Sequence, residues 1–64
     1  MHPATEAILK HFEFGHLPER LQRVSRPFRS LAYQMAEELD GPELTAGLRK
    51  LLEAKDCMVR AALG

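Results

Sequence analysis

Phe12 and Phe14 stand two apart in "HFEFGH", residues 11 to 16, between His11 and His16, and arginines follow at 20, 23, 26 and 29. A guanidinium is a planar fork of donors that matches phosphate. An aromatic ring stacks on a nucleobase for roughly 1–3 kcal/mol. Phe14 with two or three of these arginines is therefore a candidate site for an anionic, base-bearing ligand, and His16 and Lys55 are second-line contacts. Each residue also has a plainer reading. Successive arginines three apart rotate by about 60° round a helix, so all four cannot reach one ligand, and the row also reads as a solvated face. Phe14 also reads as a hydrophobic staple onto the next helix or a neighbouring subunit. Lys55 interrupts an apolar face, so it either snorkels past the edge or points into a subunit interface where an anion neutralises it.

Other chemistries lack their parts. His2, His11, His16 and Cys57 are too few and too scattered for a zinc site, which takes about four well-placed ligands. No motif surrounds Cys57, and no glycine-rich phosphate loop follows a strand. The expectation is no metal, no cofactor and no enzyme activity.

The elements that must position these residues are helices. "PATEAILKHF" places Pro3 in a first turn and brings Ile8, Leu9 and Phe12 together, which predicts a helix over about 3–12. Residues 13–17 form a linker around Gly15. Pro18 then opens a helix over about 18–39, with Leu21, Val24, Phe28, Leu31, Met35 and Leu39 as an apolar stripe facing one partner surface. Pro27 falls inside it, at a penalty of roughly 3 kcal/mol in a helix interior. The stripe keeps its phase across Pro27, which favours one kinked helix; the alternative is a break with Ser25 capping a new helix. "LDGP" is a turn. Gly41 terminates the helix, and Asp40 and Glu43 have capping-box spacing for the next, over about 42–63. That helix places Leu44, Leu48, Leu51, Leu52, Met58, Val59 and Ala62 on a broad face, with Arg49–Glu53 and Asp56–Arg60 as i, i+4 pairs outside.

Two helices of about 20 residues joined by a tight turn lie antiparallel. The fold class is therefore all-α, a single domain with a short N-terminal helix and a long antiparallel helical hairpin. Its 64 residues bury only about 60% of the unfolded surface, so the core is marginal. One cysteine permits no internal disulfide and suits the reducing cytoplasm. By elimination, homo-oligomerisation supplements the core. The apolar runs are far short of the ~20 residues that span a bilayer, so no membrane partner is expected. Nor does a basic-then-apolar segment mark a signal peptide. Net charge is zero, which argues against a polynucleotide partner. Yet residues 37–43 carry only acidic charge, whereas 18–36 are mostly basic, so the molecule is dipolar.

"FEFGHLPERLQ", "PFRSLAYQMAEELDGPE" and "LRKLLEAKDCMVRAA" together resemble the small phage-encoded anti-CBASS sponge proteins, which sequester cyclic oligonucleotide signals. The family pattern is an F-x-[FY], a Pro-Glu helix start, a helix rich in Leu and Ala, a turn, and a helix containing K-L-x-E-A. Phe12, Phe14, Pro18, Glu19, Lys50, Leu51, Glu53 and Ala54 carry it here, and the likeness covers residues 12 to 62. It implies a hexamer built of three dimers. It also implies interface pockets for cyclic dinucleotides, with trinucleotides at separate sites in some members. Phe14 matches the aromatic that stacks on a base, and Arg26 and Arg29 both lie where a basic residue meets phosphate. The family's aromatic is often tyrosine, so Phe14 lacks that hydroxyl. The rival expectation is a structural or regulatory oligomerisation module with no nucleotide ligand.

Overall fold

Pro3 occupies the first position of α1 (Pro3–Leu9), where a missing N–H breaks no helical bond. His2 caps the helix: the Ala4 N–H donates to its Nδ1 at 3.1 Å. A 3₁₀ turn, Lys10–Phe12, follows, so the expected first helix is α-helical at its start and tighter at its end. Ile8, Leu9 and Phe12 leave this segment on one side and are all buried, Phe12 at 0% exposure. The computed structural model describes residues 2–64; they form three α-helices, with no strand among them.

α2 (Glu19–Glu38) begins with Pro18 as N-cap and runs unbroken through Pro27. Pro27 and Arg23 are both exposed, so water can reach the Arg23 carbonyl that Pro27 leaves without its donor. Ser25 caps nothing. It lies inside α2, buried, and its Oγ has no hydrogen-bond partner.

The apolar stripe of α2 matches the face that packs only in part: Leu21 and Phe28 lie on it, Leu31 and Leu39 do not. Leu21, Ser25 and Ala32 are buried, and Phe28 and Ala36 join them against the core. These positions advance by three or four residues, as one helix face requires. Leu31 and Leu39 instead stay 43% and 56% exposed. Large side chains drew the expected stripe. The small residues Ala32 and Ala36 mark the packed face, because α1 and α3 both press on α2.

Gly41 turns the chain at φ 95° and ψ 177°, a region essentially reserved for glycine. It is itself the N-cap of α3 (Pro42–Leu63), and no side chain caps that helix. The expected Asp40–Glu43 capping box is therefore absent, since Gly41 occupies the place Asp40 would need. α2 and α3 pack on each other. Arg20, in the first turn of α2, donates to the Ala62 carbonyl near the end of α3 at 3.0 Å. Ala32 and Leu48 meet in the core with Ile8, Leu9 and Phe12. Met58, expected on the packed face of α3, is 52% exposed. Neither expected outer ion pair forms among the described residues, and the Asp56–Arg60 pair is replaced. Asp56 pairs with its neighbour Lys55 at 2.8 Å, and Arg60 contacts Cys57 Sγ at 3.4 Å.

An apolar groove of about 460 Å³ is lined by Leu31, Met35, Leu39, Leu44 and Leu51 among others, from α2 and α3. No helix in the structure is long and apolar enough to cross a membrane.

Candidate functional site

The core fixes the position of the site. Phe12, buried without exposure, pins the end of the 3₁₀ turn. The chain leaves Glu13 in an extended conformation, φ −64° and ψ 143°. A turn follows, closed by the Leu17 N–H donating to the Phe14 carbonyl at 3.0 Å. Gln22 Nε2 on α2 donates to the Leu17 carbonyl at 2.8 Å and fastens the far end. Phe14 is thereby held against the flank of α2, half-buried.

Two arginines meet it there. Arg26 Cζ lies 5.3 Å from the Phe14 ring centroid and Arg29 Cζ lies 6.0 Å from it. Guanidinium groups at this range are attracted by the ring quadrupole, at roughly 0.5–1 kcal/mol for an exposed pair. The two readings of Phe14 therefore meet in one geometry, since the ring packs on α2 through the same cations that qualify it for an anion. Of the arginine row, Arg20 is committed to the end of α3, and Arg26 and Arg29 are the two over the ring.

Glu13 and Tyr33 complete the cluster, and both lay outside the sequence-based candidates. Arg29 Cζ sits 4.4 Å from the Tyr33 centroid. Arg29 Nε donates to Glu13 Oε1 at 3.3 Å, and the Tyr33 hydroxyl donates to the same oxygen at 3.2 Å. Tyr33 follows Arg29 by four residues on α2, a spacing that places them together on a helix. That spacing was the available signal. Glu13 carried none beyond standing next to Phe14. Two guanidinium charges against one carboxylate leave the cluster positive. Among the described residues, no carboxylate lies within ion-pair distance of Arg26.

Lys55 and His16 stand apart from these contacts. The Lys55 side chain is only 12% exposed and pairs with Asp56. Its Nζ also donates to the His11 carbonyl at 3.0 Å. Within the chain it bridges α3 and the 3₁₀ turn. His16 is exposed in the turn after Phe14. No group of three or more potential metal ligands occurs among the described residues.

The ring is half-buried. The apolar groove and a second recess near His2, Thr5 and Asp40 both flank the turn between α2 and α3, and neither includes Phe14. No protein-family model, curated protein or solved structure matches this chain.

Proposed function

We propose that this chain is a non-enzymatic binding protein that sequesters cyclic di- or trinucleotide second messengers. In this reading α2 and α3 form an antiparallel hairpin, copies of which assemble as a homo-oligomer of dimers or a hexamer. The site works between subunits in the cytoplasm, the host's if the protein is phage-encoded, and antagonises CBASS-type antiphage immunity. The observation that carries the reading is the Phe14 ring with Arg26 and Arg29 over it at 5.3 and 6.0 Å. A base stacks on the ring as Arg26 swings from it to phosphate. Capture needs no acid, base or metal, only a ring, fixed cations and exclusion of water. The ring is only half-buried in one chain, and in this reading a second copy supplies the closure. The exposed Leu31, Leu39 and Met58 give such a copy an apolar surface to cover.

The second reading is an oligomerisation module without a nucleotide. It is favoured by Glu13, which already engages Arg29, and by the same apolar surface. Calorimetric titration with a cyclic dinucleotide, beside native mass spectrometry, separates the two. Phe14→Ala is expected to weaken binding by about tenfold, the value of one stacked base, with the oligomer intact. An oligomer that disperses in this variant makes Phe14 a packing residue and supports the second reading.

A further inference from the structure

Glu13 Oε1 accepts from two donors at once, Arg29 Nε at 3.3 Å and the Tyr33 hydroxyl at 3.2 Å. The two donors come from one face of α2, four residues apart, and Arg29 is further fixed by its stack on Tyr33 at 4.4 Å. A carboxylate oxygen and a phosphate oxygen are equivalent acceptors for such a pair. The carboxylate comes from the linker, not from α2, so it can leave without disturbing the donors. Its side chain is 51% exposed and that of Arg29 36%, and half-exposed ion pairs of this kind hold weakly.

We propose that Arg29 and Tyr33 form a phosphate subsite beside Phe14, and that Glu13 Oε1 marks the place of the incoming phosphate oxygen. The assignment rests on the ring-and-arginine reading for the class of ligand, an anionic phosphate ester. On entry, the phosphate oxygen takes both donors and Glu13 turns to solvent. Phe14 and the donor pair then address a base and its phosphate together, while Arg26 is left for a second phosphate. Tyr33 is a binding residue in this arrangement. Glu13 is a built-in competitor that sets the threshold an anion must exceed.

The full-length chain and its Glu13→Gln and Tyr33→Phe variants would be titrated with inorganic diphosphate and, separately, with cyclic di-AMP. Heats would be recorded together with the NMR signals of the arginine Nε–H groups. Glu13→Gln keeps the shape and removes the charge, so diphosphate should bind about two- to fivefold more tightly, as loss of a weak competing ion pair allows. The Arg29 Nε–H signal should move on titration. Tyr33→Phe should bind about tenfold more weakly, as for one hydrogen bond to a charged group. Equal diphosphate affinity in wild type and Glu13→Gln, or an unmoved Arg29 signal, overturns the subsite. The expected diphosphate response without any response to cyclic di-AMP supports the subsite and counts against the cyclic dinucleotide reading alone. Cyclic di-AMP binding that ignores Glu13→Gln and Tyr33→Phe supports that reading and overturns the subsite.

Discussion

Among the described residues, Ser25 is the one buried polar side chain left without a hydrogen-bond partner. Its hydroxyl is buried on the packed face of α2 without a partner. A buried, unsatisfied hydroxyl costs about 1–3 kcal/mol, and alanine also has the higher helix propensity. Ser25→Ala should therefore raise stability by about 1 kcal/mol, measured as a higher urea midpoint with an unchanged slope. A lower midpoint would mean that the hydroxyl has a partner in solution. Phe12 is the opposite case: fully buried, it ties the 3₁₀ turn to the core and so fixes where Phe14 begins. Its core role is legible from its spacing to Ile8 and Leu9. The role of Lys55 is not. Its ammonium is satisfied by a backbone carbonyl 44 positions away, and nothing in the sequence order announces such a contact.

The helices depend on their ends and on what presses on them. Gly41 is the one residue at positive φ in the turn between α2 and α3. A Cβ built there meets nothing within 4 Å, so the whole penalty of Gly41→Ala lies in the backbone. The variant should lose about 1–3 kcal/mol, read from chemical denaturation. An unchanged midpoint would show that the turn relaxes to another conformation at no cost. The positions of all three helices were legible because proline and glycine punctuate them: Pro3, Pro18, Gly41 and Pro42 each stand at a start or a stop. The packed face of α2 was legible only in part: Leu21 and Phe28 belong to the expected stripe, but Ala32 and Ala36 join the face because α1 also presses on α2. Periodicity shows that a helix has apolar residues on a face. It does not show which of two adjoining faces a neighbour will cover. The same limit explains the site. Arg26, Arg29 and Phe14 were legible as types, but Glu13 and Tyr33 gain their role only once the linker lies back against α2.

Across the whole molecule, the ring with its cations lies on α2 beside the linker, and a separate apolar groove is lined by α2, the turn and α3. The acidic run at 37–43 and the arginines nearer the start of α2 lie at opposite ends of that helix, so two copies docked antiparallel on the groove would oppose unlike charges. Leu31→Glu places a charge in the groove and should shift the protein toward monomer in analytical ultracentrifugation, with its helical circular dichroism kept. A monomeric wild type at the same concentration would contradict assembly outright.

The central claim is that Phe14, Arg26 and Arg29 hold a nucleotide which one chain cannot enclose. Its most direct test is a calorimetric titration of the purified wild-type protein at physiological salt. The panel would hold cyclic dinucleotides, cyclic trinucleotides and linear mononucleotides. The account predicts tight binding of one cyclic class, with fewer than one ligand per chain because the site is shared. Flat heats across the panel would contradict it and turn the search to protein partners.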